Sequence, residues 1–379
     1  MRTREANQYT LPPGCISEPL TTNDGSIWVN HSAGLFRLFK GEVFTVIRYN
    51  EHGIQPGYIS NLNPYRQATY LPSPVYFQDQ IYICCRVHES ACVMCFSLDT
   101  SILWKKEVGI CCPHLLSNSF GVFALCRNSL WKITNEDYSS TVTSIPFGQI
   151  IGYLVEKDYF FLVILMDGKV RLLQISPNLK IELDYLLDNG SYDFKVGTCY
   201  PILASNGRNI FVFFRVIELP FTGLEEYRFS FSENLKLKFQ GKNSYGVTSR
   251  NKATYSWVSA VFTYKEGFFF TNQLCAGADI YNRLWQVETK TNTVCVKKLP
   301  DEIQSFSSSQ KVLSIGENYY IPCENIYGKS LIARLFSGRL TSKKSPRFTD
   351  WFLSNDRIWI GIDKKDSYQL RRFPDWNEK

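Results

Sequence analysis

Apolar residues come in short runs along this chain, and polar pairs such as Asn-Gly, Asp-Gly, Asn-Asp or Glu-Gly break the sequence between them. Alternation inside a run reads as β-strand, and the breaking pairs read as tight turns. Long stretches with helical spacing are almost absent. Residues 16–49 show the unit well. Asn23-Asp-Gly25 turns into Ser26-Ile-Trp-Val-Asn30, followed by Gly34-Leu-Phe-Arg-Leu-Phe39 and Glu42-Val-Phe-Thr-Val-Ile47. The order is a short first strand, an aromatic strand, a strand of Leu-aromatic-basic-apolar character, and a more polar strand.

The same order can be read seven more times, in residues 74–109, 114–146, 150–187, 200–239, 260–299, 311–345 and 348–373. Eight units in 379 residues average about 47 each, against roughly 40–50 for one propeller blade. On strand order and spacing the chain resembles the β-propeller superfamily, with blades akin to WD-repeat, kelch and quinone-enzyme blades. Leu98-Asp-Thr-Ser-Ile-Leu-Trp104 resembles the quinone-enzyme blade word, and Asp24-Gly-Ser-Ile-Trp-Val29 with Gly34-Leu-Phe-Arg37 resembles blades of bacterial sensor propellers. The Gly-His and Trp-Asp marks of WD repeats and the double glycine of kelch blades are absent. The resemblance implies an all-β fold, a single β-propeller domain over residues 1–379 with eight four-stranded blades. A seven-bladed ring, in which residues 16–49 pair with 348–373, is the alternative. The last unit holds three strands, so Asn7-Gln-Tyr-Thr-Leu11 is expected to supply its outer strand and close the ring. Two longer polar connections, residues 50–71 and 240–255, read as loops of the kind that carry binding. The second contains Lys242, Arg250 and Lys252.

Composition narrows the classes. Apolar residues are 44% and charged residues 20%, which excludes a disordered chain. Aromatics at 15% favour strands. The most apolar run, Tyr159-Phe-Phe-Leu-Val-Ile-Leu-Met166, is far shorter than the roughly 20 residues a membrane helix needs and reads as a strand buried on both faces. The first thirteen residues lack an apolar signal-peptide core. An intracellular location, cytoplasmic or nuclear, is therefore expected, with the twelve cysteines reduced rather than bridged. The net charge, 42 − 35 = +7, permits an acidic partner without requiring one.

Candidate chemistry is sparse. Cys84, Cys85, Cys92, Cys95, Cys111, Cys112 and Cys126 crowd one stretch, and Cys92-Val-Met-Cys95 has zinc-knuckle spacing. On a strand, however, residues three apart point to opposite faces, as do Cys84 and Cys85. These cysteines are expected to be mostly buried, reduced thiols, with no metal and no cofactor. The four histidines, His31, His52, His88 and His114, accompany neither Gly-x-Ser-x-Gly nor His-Glu-x-x-His. Asp158, Asp167 and Glu266 fall in turns, where Asp is first a turn former. The densest cationic stretch is Arg339-Leu-Thr-Ser-Lys-Lys-Ser-Pro-Arg347, followed by Lys364-Lys365 and Arg371-Arg372. Lys343, Lys344, Arg347, Lys364 and Lys365 are the candidate binding residues. The first three are expected to be exposed in a stretch running outside the core. Arg371-Arg372 resembles the paired arginine of phosphoinositide-binding propellers, with Leu370 and Phe373 replacing the flanking residues of that family.

With no motif that demands chemistry, the expected function is a non-catalytic scaffold presenting a propeller face to a protein or peptide partner. One alternative is a propeller enzyme acting on a carbohydrate or lactone-like substrate through axial carboxylates. Another is binding of nucleic acid or anionic lipid through the basic C-terminal residues.

Overall fold

The computed structural model describes residues 8–60, 69–109, 111–126, 128–133, 143–144, 148–188, 201–218, 221–248, 254–276, 279–300, 302–303, 305–306, 312–325, 327–336, 339–354, 356–374 and 376. Within them the chain is an all-β propeller of eight four-stranded antiparallel blades. It divides into two units.

The first unit holds four blades. Blade 1 is Leu20–Thr21, Ile27–His31, Gly34–Phe39 and Glu42–Arg48. Blade 2 is Gln80–Val87, Ser90–Ser97 and Ile102–Gly109, with an inner edge shared by two short strands, Ile54–Pro56 and Val75–Phe77. Blade 3 is His114–Asn118, Gly121–Cys126, Ser129–Ile133 and Thr143–Ser144. Blade 8 is Asp350–Ser354, Arg357–Lys364 and Ser367–Arg372, and its fourth, outer strand is Gln8–Leu11. The closing strand is therefore the one the sequence predicts; Asn7 lies outside the described residues.

The second unit holds blade 4 (Gln149–Glu156, Tyr159–Met166, Lys169–Ile175, Ile181–Asp188) and blade 5 (Pro201–Ser205, Asn209–Glu218, Phe221–Phe231, Leu237–Thr248). Blade 6 is Thr254–Tyr264, Gly267–Ala276, Asp279–Glu288 and Thr293–Lys298. Blade 7 is Asn318–Glu324, Ser330–Phe336 and Arg339–Lys344, again with a divided inner edge, Ser305–Phe306 and Leu313–Ile315.

Alternation builds the cores. Successive side chains of a strand leave opposite faces of the sheet, so one strand feeds two inter-blade cores. In blade 1, Trp28 packs with Ile81, Ile83 and Cys85 of blade 2, whereas Ile27 and Val29 pack with Leu11, Trp359 and Tyr368 of blade 8. The run Tyr159–Met166 is buried on both faces, as its composition requires. Its two flanking turns also behave as read. Lys157 and Asp158 have φ of 49° and 67°, and Asp167 and Gly168 have φ of 50° and 74°. Two successive positive φ values are what a two-residue hairpin turn needs to match strand twist.

Two connections depart from expectation. Residues 240–248 are not a loop but continue the outer strand of blade 5, where Gly241 to Thr248 pair in register with Arg228 to Phe221. Lys242 there pairs with Glu225 at 2.9 Å and lies 5.0 Å from the Tyr227 ring centre. Arg250 and Lys252 lie outside the described residues. Residues 50–71 are likewise not simply a loop, since Ile54–Pro56 pairs with the blade 2 strand and Ile59–Ser60 pairs with Thr69–Tyr70.

A polar knot pins the first turn of blade 1. Asp24 accepts hydrogen bonds from the Thr22 hydroxyl (2.5 Å), the Ser26 amide (3.0 Å) and hydroxyl (2.7 Å), and Arg37 (2.8 Å). The Ser26 hydroxyl in turn accepts the indole N–H of buried Trp28 at 3.0 Å. Burial alone would raise the Asp24 carboxyl, but these bonds outweigh it and bring its pKa down to about 2. A carboxyl depressed on folding contributes stability fully above its unfolded value of 3.8 and loses it as pH falls through about 2. The stability gap between the native chain and Asp24→Asn should therefore shrink in urea titrations as pH is lowered from about 5 to about 2. A gap independent of pH would show that the carboxylate charge is not what holds the turn.

Candidate functional site

In an antiparallel blade the second-to-third-strand turn and the connection to the next blade emerge at the same end. In blade 1 these are the Ser32–Ala33 turn and the segment after Arg48. Between them lies a cleft of about 650 Å³, lined by Pro12, Phe36, Thr45, Arg48, Tyr49, Asn50, Gln55 and Pro56 together with the Ser32–Ala33 turn. It runs along the third and fourth strands of the blade, away from the inner strand.

The walls are held by bonds that leave the lining groups in place. The Tyr49 amide donates to the Ala33 carbonyl at 3.1 Å, and the Ile54 amide donates to the Tyr49 carbonyl at 2.9 Å. The buried Tyr49 hydroxyl donates to Asn30 Oδ1 at 2.5 Å, and Asn30 Nδ2 donates to the Pro72 carbonyl at 2.9 Å. His31 is fully buried. Its Nδ1 accepts the Ala33 amide at 2.9 Å, so Nε2 carries the proton and donates to the Pro12 carbonyl at 3.2 Å. Burial lowers the imidazole pKa against that bond and keeps the ring neutral. Both nitrogens are thus committed to backbone, and His31 is a pin rather than a general base. Gly14 makes the pin possible. Its φ is +144°, and a Cβ there would stand 2.2 Å from Ser32 Oγ and 2.9 Å from the His31 ring.

What remains open to a ligand is Arg48, the amides of Asn50 and Gln55, and the hydroxyls of Ser32 and Thr45, beside the Phe36 and Tyr49 rings. Arg48 pairs with Glu51 at 3.0 Å, and both side chains are more than half exposed. The arrangement can clamp a hydroxylated anion: planar N–H forks meet a carboxylate, and amides and hydroxyls meet hydroxyl groups. The 50–71 connection, which the sequence marks as a binding element, contributes Asn50, Gln55 and Pro56 to the lining, whereas Ser32, Thr45 and Arg48 stand outside it. Nothing in their residue types marks them; the antiparallel topology alone brings them to one end of the blade.

The basic residues fall in two places. Lys343 and Lys344 are neighbours on the outer strand of blade 7, opposite Ile332 and Leu331, not in a stretch outside the core. Strand alternation leaves Lys344 exposed and Lys343 half-buried. In the other unit, Arg347 is exposed before blade 8, and Lys364 and Lys365 are exposed where two blade 8 strands turn. Arg371 and Arg372 are half-buried beside the closing strand, and Arg371 donates to Gln369 at 2.8 Å.

The cysteines divide as alternation requires. Cys85 and Cys92 enter the core between blades 1 and 2, whereas Cys84 and Cys95 enter the core between blades 2 and 3. Cys92 and Cys95 therefore do not converge. Against expectation, Cys111 is exposed and Cys112 and Cys126 are only half-buried, because they stand at or beyond the blade ends. Among the described residues, no three His, Cys, Asp or Glu side chains are placed to hold a metal ion together, and no helix is long and apolar enough to cross a membrane. Asp350, a carboxylate on an inner strand, accepts the Tyr368 hydroxyl at 2.7 Å and the Thr349 hydroxyl at 2.9 Å.

No protein-family model matches the sequence, and no curated protein is similar to it. Solved structures do resemble it. The oligogalacturonate lyase of Vibrio parahaemolyticus superimposes with a TM-score of 0.51 at 9% identity, covering 99% of this chain and 100% of that one. The periplasmic gluconolactonase of Pseudomonas aeruginosa gives 0.42 at 13% identity, covering 90% and 98%. The tricorn protease gives 0.47 at 9% identity over 90% of this chain, which spans 36% of that protein. At such identities the likeness is one of fold, the β-propeller. The non-catalytic scaffold expected from the sequence is not what the fold likeness favours: the neighbour superimposing with a TM-score of 0.51 is an enzyme, an oligogalacturonate lyase.

Proposed function

We propose that the chain is a propeller enzyme acting on a carbohydrate or lactone-like substrate, held in the cleft beside blade 1. The observation that carries this reading is the lining: one guanidinium, two amides and two hydroxyls beside aromatic rings, in a volume of about 650 Å³ that suits a small ligand. Arg48 recognises a carboxylate, in exchange for its exposed contact with Glu51. Asn50, Gln55, Ser32 and Thr45 recognise hydroxyl groups. The Vibrio lyase supports the reading as an example of this fold in a carbohydrate-active enzyme.

The test is titration of the purified chain with galacturonate oligomers, gluconate and gluconolactone, with mass-spectrometric detection of product. Saturable binding and turnover of at least one compound are expected. Arg48→Ala and Asn50→Ala should each weaken binding roughly tenfold, about 1.4 kcal/mol. The melting temperature should stay where it was, since an exposed ion pair adds little stability. If none of the three compounds binds or reacts, the reading is wrong.

A further inference from the structure

Blade 6 ends in an exposed, largely uncharged sheet edge. Its outer strand, Thr293–Lys298, pairs with Arg283–Glu288 on one side, and among the described residues no strand lies beyond it. All six of its side chains are exposed, Val294 and Val296 each by 41%. Val294 stands opposite Val287 and Val296 opposite Trp285, and both of those pack in the core shared with blade 5. The apolar row of that face therefore runs out to the rim and stops at the edge. Bare edges pair with further strands unless charge or shape prevents it. Charge guards two other outer strands: Ile102–Gly109 of blade 2 carries Lys105-Lys106-Glu107, and Arg339–Lys344 of blade 7 begins and ends on cations. On blade 6 both lysines, Lys297 and Lys298, sit at one end and leave Thr293-Val-Cys-Val296 uncharged.

Antiparallel pairing of two copies about a two-fold axis must place residue i against j and j against i, so the axis passes through one residue facing itself. Centred on Cys295, the sequence meets that condition without a like-charge contact. Val294 faces Val296, Thr293 faces Lys297 and Asn292 faces Lys298. The apolar row becomes continuous through both copies, Val287–Val294–Val296–Trp285. In the next row, Lys297 of one copy stands in line with Thr293 and Glu288 of the other, two strand spacings or about 10 Å from that carboxylate residue. The symmetry repeats this row of opposite charges on the other side of the axis. Charge and apolar pattern thus both make the edge complementary to itself.

We propose that this edge joins a second copy of the chain, in a two-fold dimer formed by antiparallel pairing centred on Cys295. The two blades then make one eight-stranded sheet. Pairing satisfies the outward backbone N–H and C=O groups of both edges, and the four valines exclude water around the axis. A contact this narrow lies at the low end of specific interfaces, so half of the chains are paired only at about 10–100 μM. Directly opposed residues of an antiparallel pair have Cα atoms about 4.5–5.5 Å apart. The two Cys295 thiols therefore come within reach of one short cross-linker.

The test is sedimentation equilibrium of the full chain in reducing buffer, over roughly 1–300 μM to bracket that range. A monomer–dimer equilibrium is expected. Val294→Lys should weaken association roughly tenfold or more, with the melting temperature unchanged because the side chain is exposed. Val296→Lys repeats the test should the first variant not fold. A short bismaleimide should join Cys295 to Cys295 in a peptide map, and Cys295→Ser should abolish that product yet keep the dimer. A chain that stays monomeric throughout, or a dimer that the lysine variants leave intact, would overturn the proposal. So would cross-links confined to the exposed Cys15 and Cys111, or a monomer that takes up acidic strand peptides at this edge.

Discussion

Glu226→Ala should destabilise the protein by about 3–5 kcal/mol, the range for breaking a buried ion pair from one side. Glu226 is fully buried on the third strand of blade 5. It accepts two hydrogen bonds from Arg228 (2.6 and 3.2 Å), one from Asn243 (3.1 Å) and one from the Tyr245 hydroxyl (2.8 Å). Arg228 extends the network to blade 6, where it donates to the Thr289 carbonyl at 2.9 Å and to Asn292 at 3.2 Å. Burial first, and then the Glu226 charge, raise the Tyr245 pKa, so its hydroxyl stays protonated and remains a donor. Alanine would leave that donor and the Arg228 guanidinium without their acceptor, away from water. Replacing Glu226 and Arg228 together by leucine should recover much of the loss, because it removes both charges at once. Urea unfolding of the three proteins measures this. A loss below about 1 kcal/mol in Glu226→Ala would mean that solvent reaches the network as it reaches a surface pair.

Deleting residues 1–11 should be comparably damaging. The strand Gln8–Leu11 pairs with the third strand of blade 8 from Gln8 opposite Arg371 to Leu11 opposite Tyr368. Tyr9 and Leu11 are buried, Tyr9 with its ring centre 5.4 Å from that of Trp359. Burial of a large apolar side chain contributes about 1.5–3 kcal/mol, so losing two removes about 3–6 kcal/mol. The truncation also bares a sheet edge, and bare edges pair with one another. A lower melting temperature and concentration-dependent aggregation are expected, both relieved by adding a peptide of residues 1–13. A truncated protein that melts like the full chain would show that the strand is dispensable.

Much of the blade architecture was legible because it follows from local rules. Period-2 runs and turn pairs located the strands, and positive φ at Asp158 and Asp167 is what their turn positions demanded. The separation of Cys92 from Cys95 followed from the same alternation. The divided inner edges were not legible. Ile54–Pro56 is a three-residue strand, too short to show a period, and only its partner defines it. The cleft was hidden for a related reason. Pro12, Ser32 and Arg48 are generic residues far apart in sequence, and they meet only once strand pairing has placed them. His31 shows the converse: a histidine attracts attention in a sequence, yet hydrogen bonds to backbone occupy both of its nitrogens.

The divided inner edge of blade 2 makes that blade a natural insertion point. The chain leaves the shared strand opposite Cys85 and returns opposite Tyr82, three residues along, or roughly 10 Å. Because the two ends of the excursion are held by different stretches of one strand, its length is decoupled from the sheet. Closing a flexible loop between fixed points costs only about 0.6 kcal/mol more for each doubling of length. A peptide tag or a small folded module could therefore be spliced between Ser60 and Thr69, beyond the pairing of Ile59–Ser60 with Thr69–Tyr70, while the blade keeps its register.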